Sequence, residues 1–334
     1  MRSQAKIPSS SGFPKYPMDT DGFAQGFDPM VNERDFRAAF DDYGIVVGKR
    51  VISPQLQQDA VLRLHEILSN ASQQTCDFNK PESWANMPKD AHATPLPSRG
   101  FFEVYHDAIW AEIRQSLRLY IHHVVLWRQA DLWTSFDSFG IKLPQHPDGA
   151  ALDLHVDQNP RVHPNFKTIQ GILALADNPE NQGTFRGIAN SRNAFSGYAN
   201  FVAETYKGEY VPLKKHSPLA VQLAPHVQNF ALRAGDIVSW DSRTTHANTS
   251  NLSETPRFVA LVAAGPAPKH NLTELQNQRK KSFASGLGSN VRDALMHASM
   301  KPRFTDEAGI KQHRKPENLT LLGNYLYGFK PYPF

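Results

Sequence analysis

Cys76 is the only cysteine of the chain. No internal disulfide is possible, so a reducing compartment and a cytoplasmic location are expected. No apolar run is long enough to span a bilayer, and the opening Met1-Arg2-Ser3-Gln4-Ala5-Lys6 lacks the apolar core of a secretion signal. There is no phosphate-binding P-loop and no glycine pattern of a dinucleotide fold. Signatures of helix-turn-helix, zinc-finger and RNA-binding modules are absent too. Charge of one sign is also scarce: 36 Lys and Arg stand against 32 Asp and Glu, a net +4. That excess is compatible with an anionic small molecule but demands none. Lys214-Lys215 and Arg279-Lys280-Lys281 read as solvated faces. The expectation is a protein that binds neither nucleic acid nor membrane; its oligomeric state stays open.

What is present fits one large domain of 334 residues, 40% of them hydrophobic. Residues 1–30, rich in Ser, Pro and Gly, read as a loose arm, and 31–334 as a single unit. Within it, 31–130 would be helical support, 131–265 a β-rich core and 266–334 a helical and irregular extension. Ser53-Pro54 marks a helix start, with serine as cap and proline in the first turn. Leu56, Ala60, Leu64, Ile67 and Leu68 follow as an apolar stripe. Ile109, Ile113, Leu117 and Ile121 suggest one helix over 106–124. Residues 77–100, with several prolines, read as an irregular loop near the site. From Leu132 to Ala264, short apolar strands alternate with turn signals, which suggests an antiparallel β-fold.

The chemistry-bearing motif is Asp153-Leu154-His155-Val156-Asp157. Successive side chains of a strand point to opposite faces, so His155 and Asp157 would share one face. Two imidazoles and one carboxylate form the ligand set of a non-haem Fe(II) centre with open positions. The triplet alone is weak, because a chain with 14 histidines should contain one about once by chance. A second copy, His146-Pro147-Asp148, has a central proline that argues against an interior strand, and it reads as the turn before the ligand strand. The distal half strengthens the case. Ala234-Gly235-Asp236 is a turn signal, Ile237–Asp241 a strand, and His246 follows. After the polar turn 250–256, Arg257 opens the strand Phe258–Val262, and a hairpin would bring it back beside His246. A planar guanidinium there suits capture of a carboxylate.

At this point the chain resembles the Fe(II)/2-oxoglutarate-dependent dioxygenases of the phytanoyl-CoA dioxygenase-like branch, over about residues 36–332. Besides the metal motif, Asp42–Val47 with Ile52-Ser53-Pro54, Asp177–Gly183, Ile188–Ser191 and Thr320–Phe329 carry the likeness. The resemblance implies a mostly β fold with flanking helices, a double-stranded β-helix of jelly-roll or cupin-like type. It implies His155, Asp157 and His246 as the iron ligands and catalytic centre, and Arg257 as partner of the distal carboxylate of 2-oxoglutarate. Lys142 and Gln170 would be further contacts to that co-substrate. Members often carry a hydroxyl residue two after the distal histidine, where this chain has Asn248. The implied reaction uses O2 and 2-oxoglutarate, releases succinate and CO2, and hydroxylates an unactivated C–H bond of a small metabolite. Halogenating members have Gly or Ala where this chain has Asp157, so hydroxylation, or a related desaturation or cyclisation, is expected. The long segment 186–210 would close over the substrate, with Arg186 or Arg192 meeting an anionic group. Trp240 and Phe185 read as core. Two other readings stay open: a metal-free cupin-like binding protein, and a metal-dependent isomerase or hydrolase that needs no arginine clamp.

Overall fold

A computed structural model describes residues 12–87, 101–144, 153–214, 216–289 and 319–333. The His146-Pro147-Asp148 turn, residues 1–11 of the N-terminal arm, 88–100 and residues 290–318 of the C-terminal extension lie outside these residues.

Local chemistry sets the opening elements as expected. Asn32 caps the helix Glu33–Tyr43 by accepting from the Asp35 N–H, and Glu33 and Asp35 sit in its first turn. Gly44, at φ 66°, ends it in the left-handed conformation that a side chain would oppose. The strand Ile45–Gly48 follows at once, buried on both faces. Ser53 accepts from Leu56 N–H at 3.1 Å and starts the helix Pro54–Ala71, which buries Ala60, Leu64, Ile67 and Leu68. The single helix expected over 106–124 is instead two, Ala108–Arg114 and Leu117–Trp127. At the Gln115–Ser116 break the Ser116 hydroxyl donates to the Val51 carbonyl at 2.9 Å.

The strands form two large sheets. The first runs Gly26–Phe27, Ile45–Gly48, Ile237–Asp241, Ile169–Ala174, Arg257–Leu261, Phe139–Lys142 and Phe101–Phe102. The second runs Gln228–Phe230, Phe185–Gly187, His246–Asn248, His155–Val156 and Val211–Pro212. Leu132–Thr134 pairs separately with Ala264–Pro266. All these pairings are antiparallel except that of Gly26–Phe27 with Ile45–Gly48.

Alternation along the strands decides what each face meets. Phe139, Ile141, Leu173 and Ala260 turn outward onto Leu64, Ile67, Trp110 and Ile113 of the helices. Ile172, Ala174, Val238, Trp240 and Val259 turn inward and pack on Phe185 and Phe230 of the second sheet. By the same alternation Lys142, Gln170 and Arg257 also face inward. The helix Leu272–Ala284 is tied on by Arg279, which is fully buried over the Phe136 ring at 4.1 Å and donates to the carbonyls of Tyr327 (2.8 Å) and Thr134 (2.7 Å). No described helix is long and apolar enough to cross a membrane.

The helix Leu117–Trp127 buries two adjacent imidazoles. His122 Nε2 lies 2.9 Å from Ser239 Oγ, while both His123 nitrogens are buried without a partner among the described residues. Burial pushes the His122 imidazole well below its usual range, with the neighbouring His123 adding to the effect, and burial pushes His123 down to about 3. The folded state therefore holds them neutral while the unfolded chain takes up protons first as pH falls. Their contribution to stability is complete above pH 6.5 and is lost as pH falls below it, for His123 down to about 3, at up to about 1.4 kcal/mol per pH unit. Replacing His123 by leucine should remove its share. Melting temperatures of the variant and the parent should diverge between pH 6.5 and 4 in the variant's favour. Parallel curves would refute this.

Candidate metal centre

His155 and His246 are direct cross-strand partners in the second sheet, so both imidazoles leave the same face. Their rings lie 4.3 Å apart. Asp157, just past the end of its strand, turns to the same side, and its Oδ2 is 3.5 Å from His246 Nε2. One ligand atom from each of the three side chains falls within 4.8 Å of the others, a spacing one metal ion can span.

The surroundings fix these groups before any ion arrives. His155 Nδ1 donates to the Asp153 carbonyl at 2.8 Å, and His246 Nδ1 to the Thr244 carbonyl at 2.9 Å. Both protons are thereby held on Nδ1, which leaves Nε2 of each ring to coordinate. Gln170 faces inward as expected, but its Nε2 donates to Asp157 Oδ2 at 3.0 Å. It thus orients the carboxylate. Phe185 and Trp240 belong to the core between the sheets, and they also wall the His246 ring, at 5.7 and 5.0 Å.

Arg257 and Lys142 are cross-strand partners on the inward face of the first sheet, which sets two buried cations side by side. Arg257 Nε donates to Asn178 Oδ1 at 3.1 Å. Burial brings the guanidinium down to about 10, so it stays charged at neutral pH. Lys142 Nζ donates to the Thr249 carbonyl at 2.7 Å. Burial first, then the charges of Arg257 and Arg186, pushes this ammonium down to about 7. Asn178 escaped the reading of the sequence, although it lies in the quoted 177–183 loop. Nothing in its local pattern says that it braces an arginine 79 residues later.

Buried polar atoms without partners test whether the site fits a ligand. Among the described residues these include Gln170 Oε1, Asn248 Oδ1, Trp240 Nε1 and Arg257 Nη2. All four belong to side chains on the inward faces around the three ligands. Buried polar groups are almost always bonded, so such a group of orphans marks the place of a polar ligand. A metal chelated by a dicarboxylic keto acid matches the donor set and the cations.

Two expectations for substrate contacts meet a different geometry. Arg186 pairs with Ala247, one residue out of phase with His246, so alternation sends it to the outer face of the sheet. There it lines a cavity of about 510 Å³ with Asp153, Leu154, Leu213, His216 and Ala220. Arg192 is committed elsewhere: it donates to the Asp41 carbonyl, pairs with Asp241 at 3.7 Å and covers the Phe40 ring. The expected lid over 186–210 also divides. Its first half is structural, with Phe195 and Tyr198 buried and the Tyr198 hydroxyl 2.9 Å from Thr245 Oγ1. Its far end reaches the site, where the Tyr210 ring lies 4.8 Å from His155.

Comparison with known proteins agrees with this geometry. The family model described as phytanoyl-CoA dioxygenase matches residues 40–259. The Ava biosynthesis cluster protein O of Aspergillus versicolor is 27% identical over 272 residues, which cover 76% of this chain and 84% of that protein. Among solved structures, the GlcNAc inducible gene 2 product of Candida albicans superposes with a TM-score of 0.60 at 14% identity, covering 90% of this chain and 78% of its own. A hypothetical protein from Escherichia coli superposes with a TM-score of 0.62 at 15% identity, covering 88% and 82%. At these identities the structural likeness speaks to fold alone.

Proposed function

We propose that this chain, which belongs to the phytanoyl-CoA dioxygenase family, hydroxylates an unactivated C–H bond of a small-molecule metabolite. As a member it is an oxygenase-type enzyme dependent on iron and 2-oxoglutarate, acting with O2 on a small molecule. The ligand roles of His155, Asp157 and His246 rest on one observation: both imidazoles are locked by backbone carbonyls with Nε2 turned to a shared point beside Asp157. When bound, iron with 2-oxoglutarate supplies the oxidising power, releasing succinate and CO2. The chain's own work is geometry. Gln170 orients Asp157; Arg257, set by Asn178, takes the distal carboxylate with Lys142 beside it; Asn248 and Trp240 offer further polar contacts. Phe185 and Trp240 keep water from the His246 side. A carboxylate at position 157 leaves no ligand gap for a halide, which favours hydroxylation.

The order of strands supports a double-stranded β-helix. From Phe139–Lys142 onward, Phe139–Lys142, His155–Val156, Ile169–Ala174 and Phe185–Gly187 alternate between the two sheets. Ile237–Asp241, His246–Asn248 and Arg257–Leu261 alternate again, and the ligands fall on one sheet as such a roll requires. We read residues 31–334 as one unit built around it.

The decisive experiment is anaerobic. Adding Fe(II) and 2-oxoglutarate to the purified protein should develop a metal-to-ligand charge-transfer band, and admitting O2 should release succinate. A spectrum that 2-oxoglutarate does not perturb, with no succinate formed, would return the chain to the metal-free binding reading.

A further inference from the structure

The segment leaving the metal strand and the segment returning beside it are joined at one carboxylate. Glu209 Oε1 lies 2.7 Å from His163 Nε2 and 3.3 Å from Lys167 Nζ. Its Oε2 accepts from the Asn159 N–H at 3.4 Å. Asn159 is fully buried and closes the joint from the other side, since its Nδ2 donates to the carbonyls of Tyr206 (3.2 Å) and Gly208 (2.9 Å). The next residue after Glu209 is Tyr210, whose ring rests 4.8 Å from His155. Val211 and Pro212 then pair with Val156 and His155 as a two-residue edge strand.

That edge is a weak support for a ring that leans on a metal ligand. Two residues are short for a strand, and one of them, Pro212, has no N–H to give the ladder. Isolated exposed ion pairs contribute little. Here the carboxylate instead gathers an imidazole, an ammonium and a backbone N–H at once, around a buried amide that holds both neighbouring carbonyls.

We propose that Glu209 is a positioning residue for the metal centre: by clasping 159–167 it seats the Tyr210 ring against His155 and so sets the orientation of that imidazole. The inference rests on His155 being a metal ligand. Residues that orient metal ligands without touching the ion change metal affinity by roughly 10–100-fold, so the effect should be visible at the metal itself.

Co(II) is a suitable probe because its visible d–d absorption reports ligand geometry. Glu209→Ala and Tyr210→Ala should each weaken Co(II) binding by roughly tenfold and alter the d–d band. Tyr210→Phe, which keeps the ring, should restore both. Trypsin should cut faster at exposed Lys207 in Glu209→Ala. Circular dichroism melting establishes that each variant is folded. If Glu209→Ala does not fold, the contrast between Tyr210→Ala and Tyr210→Phe decides. An unchanged band and affinity in folded Glu209→Ala, or in Tyr210→Ala, would overturn the proposal, even with faster cleavage at Lys207. His155→Ala is the separate control. If it binds Co(II) as the parent does, the ligand assignment has failed, and that result is distinct from any outcome at Glu209.

Discussion

His155→Ala, Asp157→Ala and His246→Ala should each abolish 2-oxoglutarate turnover while the protein still folds. The three side chains point into a site between preformed sheets, and the core around them is built by other residues. Each removes one of the three protein donors that set the site up for hydroxylation. The carbonyls of Asp153 and Thr244 and the Gln170 amide would then orient nothing. Succinate release, measured with saturating Fe(II), gives the readout, and far-UV circular dichroism gives the fold. His146→Ala and Asp148→Ala should keep turnover. If either of these is dead instead, or if any variant of the three ligands retains near-parent turnover, the centre lies elsewhere.

A second large effect is expected at Arg257. Arg257→Leu should raise the dissociation constant for 2-oxoglutarate by roughly tenfold to a hundredfold, since a hydrogen-bonded charged pair contributes about 1.5–3 kcal/mol. Iron affinity should hardly move. Lysine should be a poor substitute, because the guanidinium is braced through Nε on Asn178 while its Nη2 is left to meet a carboxylate. Titration of the Fe(II) charge-transfer absorbance with 2-oxoglutarate measures this directly. A curve for Arg257→Leu that overlays the parent would remove Arg257 from the site.

That His155, Asp157 and His246 could come together was legible because the pattern that joins them is local. The strand alternation around 155–157 and the turn-strand signal before His246 each need only neighbouring residues. What surrounds them was not legible, because it depends on register between distant strands. Gln170 could be seen to face inward, but not that its amide reaches Asp157. Tyr210 was counted as part of a lid, and only the pairing of Val211 with Val156 brings it to His155. The side of the sheet taken by Arg186 was legible in hindsight: Phe185 is a core residue on a strand, so the next side chain points away from that core, toward the outer cavity. Arg192 gave no such signal, since it lies in a helical turn whose partners, Asp41 and Asp241, are remote in sequence. The split of the expected 106–124 helix was equally hidden, because the four-residue spacing of Ile113 and Leu117 continues straight through the break.

The pairing of Lys142 with Arg257 has a consequence for how the protein handles solvent protons. Burial first, and then the like charge of its neighbour Arg257, brings the Lys142 ammonium down to about 7. A carboxylate settling beside them reverses the balance and draws a proton back onto the amine. If Arg257 and Lys142 hold 2-oxoglutarate as proposed, its capture and the uptake of a proton from water are a single linked equilibrium. In alkaline solution that solvent proton is scarce, and binding of 2-oxoglutarate should weaken as pH rises above about 7.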